Sequence, residues 1–305
     1  AKALSLYRQF LLALPRLCPG LPQAAAIQKE SLAALRRRGL QAADLPALLY
    51  LKLRLKGPGE YEHFRHAVVD EAQDLGEFAF FALSRLLPGA TFTLVGDLAQ
   101  AIHSYKGAQS WQGVIERSFG GRALLCQMQK SYRTTVEIME AAGQVTSLLG
   151  LPPAQAVIRH GDPVRLHRTA PGSVQTVAAL LEEYRRQGFG SAAVLTKTEE
   201  RARALAGALA GLEPPPALCL GEEEFAGGFC VMPVQLAKGL EFDAVILADA
   251  DAARYRPDRR TELFLLYVAM TRPLHRLDLV LEEGAPPLPL KISLAAPLDK
   301  CCQSR

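Results

Sequence analysis

The sequence predicts an α/β protein built on parallel sheets, and three observations carry that reading. Short apolar and β-branched runs at residues 66–69 and 91–95 stop abruptly, the first at Asp70 and the second at Gly96-Asp97. Helix-length amphipathic stretches alternate with such runs along most of the chain, the pattern of βα units rather than of hairpins. Hydrophobic residues make up 49% of the 305 residues, enough to bury strands on both faces.

The elements follow in order. Residues 4–14, 23–38 and 43–56 have helical periodicity and are separated by breaks containing Pro or Gly. Arg36, Arg37, Arg38, Lys52, Arg54 and Lys56 make this lead-in basic, and a solvated helix face accounts for them. A strand at 66–69, a helix at 78–87 and a strand at 91–95 come next. Further strands are predicted at 123–126, 164–167, 192–196, 229–232 and 244–248. Helices are predicted at 174–187, 198–211 and 261–271. Pro214-Pro215-Pro216 and Gly227-Gly228 mark surface turns. The Pro- and Ala-rich tail from Gly284 is expected to be loosely ordered at its end.

Composition narrows the function classes. A net charge of +4 is compatible with a nucleic-acid partner without requiring one. Cys18, Cys126, Cys219, Cys230, Cys301 and Cys302 form no C-x-x-C pair and have no zinc spacing, so free thiols in a reducing, cytoplasmic setting are expected and no structural metal. No apolar run approaches the ~20 residues that span a bilayer. The chain opens on Ala1 rather than methionine, which reads as a piece cut from a longer protein.

The chemistry sits at the predicted strand ends. Asp70-Glu71-Ala72-Gln73-Asp74 follows the first strand directly. In open α/β sheets ligands bind beyond the carboxyl ends of strands, and adjacent carboxylates there divide their labour. Asp70 is suited to hold Mg²⁺ and Glu71 to deprotonate an attacking water. The plainer alternative is an acidic helix start. After the second strand, Gln100 is placed to hydrogen-bond a terminal phosphate or the attacking water. His103, Tyr105 and Lys106 beyond it combine rings and a cation in the manner of a single-strand stacking platform.

Taken together, Val68-Val69-Asp70-Glu71-Ala72-Gln73-Asp74 and Val95-Gly96-Asp97-x-x-Gln100 resemble the Walker B element and motif III of UvrD/Rep-like superfamily I helicases. Ser131-Tyr132-Arg133-Thr134-Thr135 is similar to motif IV of that family. Ala237-Lys238-Gly239-Leu240-Glu241-Phe242-Asp243 is similar to motif V, and Leu266-Tyr267-Val268-Ala269-Met270-Thr271-Arg272 to motif VI. The five stand in family order over residues 43 to 282. The resemblance implies a P-loop NTPase (RecA-like) fold acting on ATP and Mg²⁺. Asp70 would bind the metal, Glu71 would activate water and Gln100 would sense the γ-phosphate. Tyr132 would stack on adenine, and Gly239 and Glu241 would lie at the ribose and phosphate edge. Arg133 and Arg272 would be arginine fingers, since guanidinium neutralises equatorial phosphate oxygens bidentately. A helix-start ion pair is the plainer role for Arg133, and a core role for Tyr132.

The sequence departs from the family in three places. It contains no G-x-x-x-x-G-K-[ST], so no backbone N–H cradle and lysine grip the β- and γ-phosphates. His103, Tyr105 and Lys106 replace Tyr, Trp and Arg, and Lys106 lacks the guanidinium fork. Gln235 and Leu236 replace the His and Ser of motif V that help contact DNA. The short interval between motifs IV and V has no room for a large insertion. Together with the wording of Gly96-Asp97-Leu98-Ala99-Gln100-Ala101-Ile102-His103, this resembles the C-terminal part of the HelD family, helicase-like ATPases associated with bacterial RNA polymerase. DNA helicase IV proteins are the neighbouring family.

The expected organisation is therefore residues 1–120 as a helical lead-in and the C-terminal portion of a first RecA-like domain. Residues 121–290 would form a complete second RecA-like domain, and 291–305 a tail. The expected partners are single-stranded or duplex DNA, RNA polymerase, and a missing N-terminal portion of the same protein that carries the phosphate loop. Without that loop the chain is expected to be inactive alone. The alternative is a stand-alone nucleic-acid- or polymerase-binding module without ATPase activity.

Overall fold

The computed structural model describes residues 2–37, 39–101, 107–108, 110–128, 130–153, 155–156, 159–170, 172, 174–221 and 227–295. It divides into two compact units, Ala1–Cys126 and Gln127–Arg305. The α/β class with parallel sheets flanked by helices holds in both.

The first unit opens with three helices, α1 (Lys2–Leu17), α2 (Ala24–Arg36) and α3 (Leu45–Lys56). Tyr7, Leu11 and Leu14 of α1 recur at helical spacing and form its buried stripe. The Tyr7 hydroxyl donates to Asp44 Oδ1 at 2.5 Å, while Asp44 Oδ2 accepts the Gln41 N–H, which ties α1 to the turn before α3. Burial and the Asp44 carboxylate both push the Tyr7 phenol well above its usual range.

Then follow β1 (His66–Val69), α4 (Glu77–Leu86), β2 (Thr91–Leu94) and α5 (Trp111–Phe119). β1 and β2 pair in parallel, His66 opposite Thr91 and Val69 opposite Leu94. Phe80 of α4 and Val114 of α5 pack with Ala72, Ala108 and the inward residues Val69 and Leu94. Side chains alternate across a strand, so His66, Val68, Thr91 and Thr93 occupy the opposite face, which is exposed.

The second unit comprises β3 (Lys130–Ser131), α6 (Val136–Leu148), β4 (Gln155–Ala156), β5 (Arg165–Thr169), α7 (Gln175–Arg186), β6 (Ser191–Thr196), α8 (Glu199–Ala208), β7 (Ala217–Leu218), β8 (Gly228–Pro233), β9 (Phe242–Leu247), α9 (Arg260–Met270), β10 (Pro273–Glu282) and β11 (Ser293–Leu294). Seven strands form one parallel sheet in the order β11-β5-β10-β9-β6-β8-β7. Ala192, Val194, Ala244 and Ile246 on one face pack against Val177, Leu181 and Tyr184 of α7 and Leu205 of α8. Their alternates Ala193, Leu195, Val245 and Leu247 are as deeply buried, so both faces are covered. Helix α9 is buried from Leu263 through Met270, the mark of an interior helix rather than an amphipathic surface one.

The structure corrects the predicted elements in two directions. The strand predicted at 123–126 is absent: Ala123 to Cys126 have no regular structure, and Leu124 is 87% exposed. Apolar content alone does not make a strand, because the strand also needs a neighbour's edge to hydrogen-bond. Conversely, α5, α6 and the ten-residue β10 carry no counterpart in the prediction. In β10 the charged pair Arg276 and Asp278 interrupts what would otherwise read as a buried strand, and the fold neutralises them. Asp278 is fully buried and accepts from four groups: Arg165 Nε (3.0 Å), His167 Nε2 (2.6 Å), Tyr184 Oη (2.6 Å) and Arg276 Nε (2.9 Å). Glu183 takes a second guanidinium nitrogen of each arginine. A buried carboxylate is tolerated when it is paired and its lone pairs are filled. The tail, for its part, is anchored through β11 on β5, and Gln144 holds both backbone groups of Lys291. Its end, 296–305, lies outside the described residues.

Candidate functional site

The chemistry of the first unit gathers at the carboxyl ends of β1 and β2. The ladder continues past the strands, Val95 N–H to Val69 O and Ala72 N–H to Val95 O, both 2.9 Å, and this holds the two loops side by side. Asp70 is the residue after β1, exposed, and its Oδ1 accepts the Glu71 N–H at 2.8 Å. Glu71 has φ 48°, in the left-handed region that non-glycine residues rarely occupy. That conformation turns the chain sharply and leaves the Glu71 carboxylate exposed beside Asp70.

A residue the sequence reading gave no role, Gln73, connects the two loops. Its side chain is 99% buried; Nε2 donates to Glu71 Oε2 at 2.5 Å and Oε1 accepts the Asp97 N–H at 3.0 Å. Asp97 in turn accepts from the Ala99 N–H and from Gln100 Nε2, at 2.9 and 3.0 Å. The hydrogen bonds thus run from Glu71 through Gln73 and Asp97 to Gln100. Two glycines make room for this bridge. A Cβ on Gly96 would lie 2.3 Å from Gln73 Oε1, and one on Gly107 would lie 2.1 Å from Gln73 O. In the sequence Gln73 is only an amide inside an acidic run; its burial and the approach of the two glycines belong to the fold. Asp70, Glu71 and Gln100 are therefore brought together. His103, Tyr105 and Lys106 lie outside the described residues.

In the second unit Tyr132 and Arg133 follow β3, whereas the other predicted residues lie at the amino ends of strands. Gly239, Leu240 and Glu241 lead into β9, and Arg272 immediately precedes β10. Gly239 has φ 80° with open space at its Cβ position, so backbone conformation is what requires glycine there. Arg133 Nη2 pairs with Glu241 Oε1 at 2.7 Å, both side chains being nearly half exposed. Tyr132, beside it, is 73% exposed, which excludes a core role. Thr135 caps the start of α6, its Oγ1 accepting the Ile138 N–H.

Arg272 is different in kind. It is 1% exposed, and its guanidinium donates to Val268 O at 3.1 Å, Leu240 O at 3.3 Å and Thr271 Oγ1 at 3.3 Å. It caps the carboxyl end of α9, where a cation suits the free carbonyls. It also fastens the loop that carries Gly239 and Glu241, and its own carbonyl accepts the Phe242 N–H. Glu241 and Leu240 are adjacent, so Arg133, Glu241 and Arg272 form one connected cluster. Use of Arg272 at a phosphate would require its guanidinium to leave these carbonyls.

Neither unit gathers a ready-made metal cage: among the described residues no three His, Cys, Asp or Glu side chains cluster as ligands. Among them, too, no helix is long and apolar enough to cross a membrane.

Comparison with known proteins follows the same division. Residues 47–112 match the family model of the UvrD/REP helicase N-terminal domain, and residues 228–280 match that of the UvrD-like helicase C-terminal domain. The ATP-dependent DNA helicase srs2 of Schizosaccharomyces pombe is 28% identical over 109 residues, which is 34% of this chain and 12% of that protein's length. The crystal structure of the C-terminal domain of a possible DNA helicase from Lactobacillus plantarum WCFS1 is 30% identical. It covers 52% of this chain and 91% of its own, with a TM-score of 0.41.

Proposed function

We propose that this chain, which carries UvrD-like helicase sequence in both of its units, supplies the acidic and the arginine parts of an ATP-driven motor. The observation that carries the proposal is the hydrogen-bonded line from Glu71 through Gln73 and Asp97 to Gln100, with Asp70 alongside, at the carboxyl ends of two parallel strands. An ordinary acidic helix start has no reason to hold a buried glutamine between two strand ends.

Mg²⁺–ATP, when bound, supplies an electrophilic phosphorus and a metal charge that offsets the phosphates. The residues present fit the metal: Mg²⁺ is typically held by one or two carboxylates together with substrate phosphates and waters, and the exposed Asp70–Glu71 pair offers that. Asp70 would hold the ion. Glu71 takes the proton of the attacking water, its carboxylate aimed by Gln73. Gln100 donates to a terminal phosphate oxygen or orients that water, and Asp97 fixes its amide. Tyr132 offers an exposed ring to a base, and Gly239 leaves the ribose edge open. Arg133 is the finger nearest to service: an anionic phosphate competes with Glu241 for its guanidinium, and Glu241 is released toward the nucleotide. Arg272 holds the motif V loop and follows only if α9's end rearranges.

The grip on the β- and γ-phosphates must come from another polypeptide segment, since the sequence contains no glycine-rich phosphate loop. The exposed face of the β1–β2 sheet fits a segment that packs over it. This chain by itself is then expected to turn over ATP at background level, and robust Mg²⁺-dependent hydrolysis by it would overturn the proposal. In a protein that joins it to its phosphate loop, Glu71→Gln and Arg133→Ala are each expected to lower kcat by about 100-fold or more. Gln73→Leu should lower kcat while leaving KM for ATP nearly unchanged.

The output is movement on nucleic acid or remodelling of RNA polymerase of the HelD kind. Gln235 and Leu236, where DNA-contacting His and Ser stand in the family, favour the second. A gel shift on single-stranded DNA beside a pull-down with RNA polymerase separates them: polymerase capture without a DNA shift supports remodelling, and the reverse supports translocation. Binding of either with no nucleotide dependence in the joined protein would favour a plain binding module.

A further inference from the structure

The strongest feature outside the site lies on the helical lead-in. The first 57 residues hold ten Lys or Arg and only two Asp or Glu, a net +8 in a chain whose total is +4. The remaining residues are therefore net negative. Of the two acids, Asp44 is buried and occupied by Tyr7 and Gln41. Among the described residues, none of the lead-in cations takes a carboxylate partner.

Between α1 and α2 runs a groove lined by Leu4, Arg8, Leu12, Leu32, Leu35 and Arg36. Leu4 and Leu12 are 46% and 56% exposed. Helix α1 thus has a second apolar face besides the buried Tyr7, Leu11 and Leu14 stripe, and a helix apolar on two faces is built to be covered on both.

We propose that this groove docks an acidic amphipathic helix of a protein partner. Leucines of that helix at i, i+3 or i+4 and i+7 would seat between Leu4, Leu12, Leu32 and Leu35, and its glutamates would meet Arg8 and Arg36. Charge complementarity selects the occupant. A second copy of this surface would bring a second cationic face and be repelled. A nucleic-acid strand would satisfy the arginines but leave the leucines unused, and the groove holds no aromatic ring for a base to stack on. Unpaired cations at the rim also speed encounter with an acidic partner.

The test uses the full chain and a fluorescein-labelled peptide of about 18 residues, five helical turns, made of Glu, Ala and Leu with leucines on one face. A scramble of the same composition and an oligothymidylate of equal charge are run beside it in fluorescence anisotropy. The peptide is expected to bind saturably, and the scramble at least about tenfold more weakly. Arg8→Glu and Arg36→Glu, each made separately, and Leu12→Ser should each weaken the peptide by about tenfold with an unchanged thermal melt. These positions are exposed or at the groove rim, so if one variant fails to fold the other two still decide the matter. Failure of the peptide to saturate overturns the proposal. So does oligothymidylate binding as tightly as the peptide while Leu12→Ser changes nothing, which would make the surface a polyanion site.

Discussion

The two parallel sheets of this protein are built to different standards. In the second unit, the central strands β6 and β9 of a seven-stranded sheet are covered on both faces, and Val245 and Leu247 are fully buried. In the first, two strands are covered on one face only, and Val68 is 66% exposed. Parallel sheets ordinarily bury both faces, and a two-stranded sheet has little stability of its own. The naked face carries β-branched residues, Val68, Thr91 and Thr93, beside His66, so its strands keep their propensity while only Val68 is apolar. The difference teaches that the first unit is under-supported where its chemistry lies. The second unit supports itself, and Arg272 is tied into its framework while Tyr132 and Arg133 stay exposed.

The comparison makes graded predictions. The largest effect is expected at the buried carboxylate of β10. Asp278→Ala removes the central acceptor of Arg165, His167, Tyr184 and Arg276, leaving Glu183 as the carboxylate the two arginines still share, and should cost about 3–5 kcal/mol in denaturant unfolding. Asp70→Ala, at an exposed strand end, should stay within about 0.5 kcal/mol. Next comes packing: Val245→Ala is expected to cost about 2 kcal/mol by lost burial and a residual cavity, against less than about 0.5 for Val68→Ala. Equal costs in that pair would mean that the β1–β2 face is covered in solution, and protection of Val68 by a phosphate-loop segment would sharpen the contrast.

Smaller still is the Arg133–Glu241 pair. Being exposed, it should contribute about 0–1 kcal/mol, so Glu241→Gln should barely move the melting temperature even where it alters nucleotide binding. A further contrast is read as a function of pH. Burial acts to raise the Glu137 carboxyl, but hydrogen bonds from His160 and the Gly161 N–H outweigh it and hold the group at about 2, below its ordinary 4.5. A depressed carboxyl stabilises the fold fully above about pH 4.5, and that contribution is lost as the pH falls toward 2. Acid titration of unfolding should show this slope, and Glu137→Gln should flatten it.

Much of the architecture was legible from local pattern. The β1 limits were read directly, and strands β5, β6, β8 and β9 and helices α7, α8 and α9 to within a few residues, because periodicity and breakers are local properties. The strand predicted at 123–126 failed because its pairing partner is a matter of tertiary structure. Strand β10 went unread because its charges are neutralised by Arg165, His167, Glu183 and Tyr184, all distant in sequence. In the candidate site, Asp70, Glu71 and Gln100 were legible as acids and an amide after strands. Gln73 was not, since its role depends on the separate loop that ends in Asp97.

The sequence by itself determined the chemistry available to this protein. Motif order, the residue types at strand ends, the missing phosphate loop and the basic lead-in are all carried by contiguous residues. Only the tertiary structure decided which of those groups are free to act. Arg133 and Arg272 read as equivalent cations in their motifs. In the fold, one is held at the surface by a single exposed carboxylate, and the other is buried among carbonyls at the end of α9. The physical reason is that a side chain's identity fixes its charge and donors, whereas its partners and its access to solvent come from segments far away along the chain.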